Sequence, residues 1–363
     1  MASMVKVGMF ILVAAVAAVS CNRRDTAATA DTVTDTVIGT IDTLPRASIT
    51  FILGNDHSAY NQYYTMANQY YRLNASDRTE TVVDNLTSLG EVLNYLKAHP
   101  DTVYGRPYGL INLVSHGNEF IDLQMKVVPH GARTSVQALQ AALNDSLLAI
   151  PDSTLVDSLT LVYLHGCAVG NNQELLNDLA EAFGGRATVM ASKLFEYYAY
   201  TSPGRNPQNI KHYFAKAWYA FYNPDSTTSD LQLAAQLRHR YPDEDVDWLD
   251  GLRRRLQDNP LQLYHFTFIL PCIYEETYDR LEEIPPAGSL KQRPQFRALL
   301  ERSHIPPEYF QTKVYRKTYT MDDGSTMYGL KVKARAGVIC LVQPLIATDS
   351  TAFAFSTNRK FNI

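Results

Sequence analysis

The sequence predicts an α/β fold: a mostly parallel sheet with helices on both faces, followed by a smaller α+β C-terminal module. Three observations predict it. Between residues 48 and 192, short apolar runs alternate with longer stretches of helical spacing. Those apolar runs are nearly continuous, as strands covered on both faces must be. After about residue 222 the order changes to charged helical segments and then long strand-like runs, which divides 48–222 from 223–363.

The elements follow in order. Ile49-Thr-Phe-Ile-Leu-Gly54 reads as a buried strand ending at a glycine. Ser58 to Leu73 carries Tyr60, Tyr63, Tyr64, Tyr70 and Tyr71 at roughly helical spacing, which suits a helix packed on the sheet or the wall of a groove. Thr79 to Val83 reads as a strand. Leu86, Leu89, Leu93 and Leu96 are spaced by threes and fours, so a helix is expected there with Ser88 as its cap. Gly109 to Ser115 is the next strand, Phe120 to Val128 a half-exposed strand or hairpin, and Ser135 to Leu148 an amphipathic helix. Leu159 to Leu164 is another buried strand. Gln173 to Phe183 is a helix closed by Gly184-Gly185, and Ala187 to Ala191 is a short strand. In the later module, Ser226 to Arg255 reads as helical. Leu261–Tyr274, Gln311–Met321 and Met327–Leu345 read as strands, with a hairpin turn at Asp323-Gly324.

The first residues have another character. Lys6 is the only charge before Cys21, an apolar run from Val7 to Val19 follows it, and small residues lead up to the cysteine. That is the layout of a secretory signal over residues 1–20, too short an apolar run to prefer spanning a bilayer. A cysteine at the junction resembles a lipobox, which implies lipidation at Cys21. Residues 21–47, rich in Thr, Ala and Asp, cannot bury enough surface to fold and read as a tether. The expected location is the bacterial cell envelope, anchored by lipid, with the outer membrane favoured and the domain facing periplasm or exterior.

The 363 residues, net charge of -4 and 46% hydrophobic content suit about two soluble domains. No Lys/Arg cluster suggests a nucleic-acid partner. No phosphate-binding loop, dinucleotide fingerprint or Gly-x-Ser-x-Gly appears, so no cofactor and no serine nucleophile are expected. Zinc held by His116, His165 and Cys167 lacks any Cys-x-x-Cys or His-x-x-x-His spacing, and no metal is expected.

The central observation is placement. His116-Gly117 ends one apolar strand and Gly166-Cys167 ends another, and ligands of open α/β sheets bind outside the carboxyl ends of strands. A thiol attacks as its thiolate, and a nearby imidazole can take its proton and return it to the leaving group. His116 is therefore the expected base and Cys167 the nucleophile. The N–H groups of Gly117 and Cys167 would form the oxyanion hole.

Leu110-Ile-Asn-Leu-Val-Ser-His-Gly117 and Leu161-Val-Tyr-Leu-His-Gly-Cys-Ala-Val-Gly170, with 51 residues from His116 to Cys167, resemble the caspase-like cysteine peptidases. These include caspases, legumains, gingipains, clostripain-like enzymes and separases. The resemblance covers about residues 48–200 and implies a caspase-like domain that cleaves peptide bonds through a thioester. Two departures stand out. The caspase Gln-Ala-Cys is absent, and His165 stands where clostripain-like enzymes often carry the acidic residue that helps bind a basic side chain. His165 could be a second catalytic partner, a pocket residue or a strand-end histidine facing solvent. Topology offers Asn55 or Asp56, after the first strand, and Ser192, after the last, as further pocket residues. Two functions follow from different classes: an envelope-anchored endopeptidase acting on peptides or proteins, or an inactive caspase-like lipoprotein that serves as a binding or scaffold protein.

Overall fold

The computed structural model describes residues 44–56, 62–75, 80–120, 123–201, 209–253, 264–290, 292–321, 323–345 and 348–357. The expected signal segment, the tether and Cys21 lie outside them.

The first sheet is mixed but mostly parallel. Its strands are β1 (Ser48–Ile52), β2 (Glu80–Val83), β3 (Leu110–Val114), β6 (Leu161–His165), β7 (Thr188–Ser192) and β13 (Phe353–Phe355). Their spatial order is β2-β1-β3-β6-β7-β13, and only the edge strand β13 runs antiparallel to its neighbour. The chain steps outward from β1 to β2, jumps back over β1 to β3, and then proceeds through β6 to β7. The direction of travel therefore reverses between β1 and β3.

Helices cover both faces. On one face α2 (Leu89–Ala98), α3 (Val136–Asn144) and α4 (Gln173–Ala182) bury Leu93, Leu139 and Leu179 against Phe51, Leu113, Leu164 and Val189. On the other, α1 (Tyr63–Asn74) packs Tyr63, Tyr64 and Ala67 on Ile52 and Val114. The two-residue alternation of a strand explains the split: Phe51 and Leu113 point one way, Ile52 and Val114 the other. Local chemistry sets the helix ends. Ser88 and Ser135 cap α2 and α3 by accepting N–H bonds from Glu91 and Ala138. Asp56 takes the first turn of α1, accepting from the N–H groups of Tyr64 (3.1 Å) and Thr65 (2.8 Å). The α4 helix closes through Gly184 and Gly185, both at positive φ, with the Gly185 N–H reaching back to the Ala180 carbonyl. The expected hairpin after Phe120 is the small pair β4 (Leu123–Lys126) and β5 (Arg133–Thr134).

The second sheet is antiparallel. Its strands are β8 (Phe195–Tyr200), β9 (Ile210–Tyr222), β10 (Tyr264–Tyr278), β11 (Gln311–Thr320) and the 19-residue β12 (Thr326–Pro344). The β12 strand pairs with β10 on one side, and on the other with β9 and then β11. Sheet membership thus does not follow the division at 222/223. The β8 and β9 strands come from before it and join the second sheet; β13 comes from near the end of the described chain and completes the first. The helical region after Ser226 is two helices, α5 (Asp230–Arg240) and α6 (Trp248–Arg253), separated around Pro242, which lacks the N–H a continuing helix needs. In the register Cys272 lies opposite Ala334 and Cys340 opposite Phe266. The two sulfurs are six positions apart along the ladder, about 20 Å, so they form no disulfide with each other.

Candidate active site

The β3 and β6 strands are parallel neighbours with Val114 opposite His165, and the Ser115 N–H extends the ladder to the His165 carbonyl at 3.0 Å. His116 and Cys167 each follow two residues beyond that last pair, so both stand at the carboxyl end of adjacent strands. His116 also lies beside the reversal between β1 and β3, where an open sheet leaves a crevice.

Cys167 begins a sharp strand-to-helix turn. Ala168 has φ 58° and ψ 18°, left-handed backbone that a residue with a Cβ seldom adopts, and is followed by a 3-10 turn over Val169–Asn171 and then α4. Such strain persists only where the surroundings enforce it. Here they do. The Ala168 N–H is fixed to the Leu194 carbonyl at 2.8 Å. A Cβ on Gly170 would lie 2.6 Å from the Ala191 carbonyl oxygen, so the turn is pressed against β7.

The site is closed. Cys167 is only 7% exposed, its S–H donates to the Glu196 carbonyl at 3.3 Å, and burial pushes the thiol up from 9.0 to about 12. In this conformation it is a neutral thiol at neutral pH. The half-buried His116 ring stacks on Tyr63 at 4.5 Å and meets the edge of Tyr64 at 4.7 Å, and its backbone N–H donates to the Tyr64 hydroxyl at 2.9 Å. The Tyr63 hydroxyl in turn donates to the His165 carbonyl at 3.3 Å. The first turn of α1 therefore lies directly over the strand ends. Gly117 is buried in the loop that follows His116. A groove beside these loops is lined by Glu119 and Asn171 from the two strand-end loops and by Arg240, Cys272 and His304. Burial raises the Glu119 carboxyl above its ordinary range, opposed by His304 and Arg240.

His165 is not at the solvent. It is 2% exposed, on the α1 side of the sheet, within a buried polar cluster. Its Nδ1 lies 3.0 Å from Glu196 Oε2, and its Nε2 lies 2.8 Å from the Tyr71 hydroxyl and 3.1 Å from Asn112 Oδ1. Glu196 is fully buried on β8. Its Oε2 also meets His212 Nε2 from β9 at 3.0 Å, while Oε1 accepts from the Tyr163 hydroxyl at 3.1 Å. Burial disfavours the Glu196 charge, but these bonds and the two histidines outweigh it and hold the carboxyl below its ordinary value. Burial holds His165 below its ordinary value, more than Glu196 raises it.

The remaining expected pocket residues have local partners or face outward. Asp56 caps α1, and Asn55 is exposed. Ser192 is buried, its Oγ accepting from the Leu194 N–H at 2.9 Å and donating to the Leu194 carbonyl at 3.2 Å. Glu196, His212 and Asn112 were not singled out in the sequence. Only Asn112 carried a signal, as a lone amide inside the apolar run Leu110–Val114.

Comparison with family models, with curated proteins and with solved structures finds no match to this chain.

Proposed function

We propose that the chain is a caspase-like cysteine peptidase in a closed resting conformation, with His116 and Cys167 as its catalytic pair. One observation carries the reading. Two residue types able to do acyl transfer stand equally far beyond the ends of adjacent parallel strands, beside the reversal of the sheet, and the cysteine begins a strained turn. When α1 lifts from the strand ends and the Cys167 turn moves off the Glu196 carbonyl, His116 takes the Cys167 proton and the thiolate attacks the substrate carbonyl carbon. The oxyanion is held by the Gly117 and Cys167 N–H groups. Collapse expels the amine, which takes the proton from His116, and leaves a thioester that water hydrolyses to regenerate the thiol. The substrate would lie in the groove beside Glu119 and Asn171. Lipidation at Cys21 would tether the domain to the bacterial envelope.

The burial of Cys167 favours the second reading, an inactive caspase-like scaffold, and reactivity separates the two. The test is a peptide-based thiol electrophile applied to the full chain and to Tyr63→Ala, His116→Ala and Cys167→Ala, with mass mapping. The peptidase reading expects slow labelling at Cys167, at least about tenfold faster in Tyr63→Ala and lost without His116. Labelling of Cys167 that is no faster in Tyr63→Ala and indifferent to His116 would leave the scaffold reading.

A further inference from the structure

We infer that His165, Glu196 and His212 form a binding site for one zinc-class divalent cation, clamping β6 of the first sheet to β8 and β9 of the second. His165 Nδ1 and His212 Nε2 each lie 3.0 Å from the same oxygen, Glu196 Oε2, and the three ligand atoms all fall within 4.8 Å of one another. Tetrahedral zinc with bonds near 2.0–2.2 Å needs donor atoms about 3.3–3.6 Å apart. Small ring movements therefore reach that geometry. The imidazole centroids are 5.4 Å apart and the rings cross at 68°, so both can present a nitrogen to one ion without stacking on each other.

The hydrogen bonds around His165 and Glu196 are those that ligands require. A metal-bound histidine donates its other ring N–H to an oxygen, and a bound carboxylate is itself hydrogen-bonded. His165 Nε2 faces Asn112 Oδ1, and the Asn112 amide is oriented by its own donation to Thr50 Oγ1 at 3.0 Å. That leaves the Nδ1 lone pair for the cation. Glu196 Oε1 accepts from Tyr163, which leaves Oε2 as a single ligand oxygen. A cation bound through Nδ1 keeps His165 a neutral imidazole at a position 2% exposed, with its Nε2–H donating to Asn112 Oδ1. Two imidazoles and one carboxylate suit zinc and its first-row neighbours rather than calcium or magnesium. His212 is the most accessible ligand, its side chain 12% exposed, and gives the cation its route in.

The test uses the full chain, stripped with chelator and purified without a metal-affinity tag. Zinc(II) is titrated against a chromophoric competitor, and cobalt(II) serves as a visible probe of coordination. The expected result is one equivalent of zinc bound, a tetrahedral cobalt spectrum, and loss of both in His212→Ala and Glu196→Gln, with Cys167→Ala and His116→Ala binding as the parent does. Circular dichroism shows whether each variant is folded. Absence of stoichiometric zinc binding by the unmodified chain overturns the inference whatever the variants do. So does binding that survives in folded His212→Ala or disappears in Cys167→Ala.

Discussion

Replacing Glu196 by Gln tests whether the buried cluster is what joins the two sheets. The change keeps the side-chain shape and removes one charge. In the fold that carboxylate is fully buried and holds three groups, Tyr163 at 3.1 Å and the two histidines at 3.0 Å each. Hydrogen bonds to a charged group contribute about 1.5–3 kcal/mol each, and removing one partner of a buried charged network costs about 3–5 kcal/mol. The amide can still accept weakly from both histidines, so the lower end, about 3 kcal/mol, is expected. With a guanidinium slope of about 5 kcal/mol/M, the midpoint falls by about 0.6 M at unchanged slope. The assay is equilibrium guanidinium denaturation of the full chain in chelator, followed by tryptophan fluorescence, since Trp218 lies on β9. Glu275→Gln is the control. Its salt bridge to Lys331 is largely exposed, with 57% of the Glu275 side chain accessible, and its loss should leave the midpoint where the parent has it. A loss of less than about 1 kcal/mol for Glu196→Gln would refute the reasoning, because the cluster would then be a bystander to sheets held by apolar contact alone.

Two further outcomes test local energetics. Burial, and then repulsion by Glu174 and Glu181, raises the Asp178 carboxyl from 3.8 to about 6, and its Oδ2 is a buried oxygen with no hydrogen-bond partner among the described residues. A carboxyl raised in the fold binds more protons folded than unfolded, so stability falls as pH rises from about 4 to about 6. Asp178→Asn should therefore match the parent near pH 3.5 and exceed it by about 1 kcal/mol at pH 7.5, a figure already reduced for solvent screening, as read from thermal melts at the two pH values. Gly170→Ala would set a methyl 2.6–2.8 Å from the backbone of Ala191 and Ser192. It should cost about 1–3 kcal/mol of stability, read as a lower denaturation midpoint; a neutral result would show that this turn yields freely.

Much of the first sheet was legible because its signals are local. Continuous apolar runs marked β1, β3, β6 and β7, the Ser88 cap marked the start of α2, and Gly184-Gly185 marked the end of α4. The strand-end histidine and cysteine were legible for the same reason. What failed to appear was pairing over long separations. Phe353–Phe355 gives no sign that it will add to Thr188–Ser192, and nothing in Phe195–Tyr200 says that it belongs with β9 and β12 rather than with the strand just before it. The buried cluster was hidden for that reason too. His165, Glu196 and His212 come from three strands in two sheets, and each is an ordinary polar residue until the pairing brings them together.

The alternation of the strands shows why that cluster sits where it does. Parallel strands buried on both faces are usually apolar on both. Here the face under α2, α3 and α4 obeys the rule, with Phe51, Leu113 and Leu164, whereas the α1 face presents Thr50, Asn112, Tyr163 and His165. Apolar replacements would fill the same space without the desolvation cost of polar atoms, so stability alone does not account for them. Their positions converge on Glu196, whose side chain gathers His165 and His212 while its carbonyl accepts the Cys167 S–H. One residue of β8 thus fixes both the buried cluster and the thiol. Any movement that frees Cys167 from that carbonyl must shift β8 or the Cys167 turn, and β8 cannot shift without loosening a fully buried carboxylate from its partners. The closed state of the thiol is therefore tied to the cluster beneath it, and a perturbation of Glu196 should be felt at Cys167 even though the two side chains do not bond to each other.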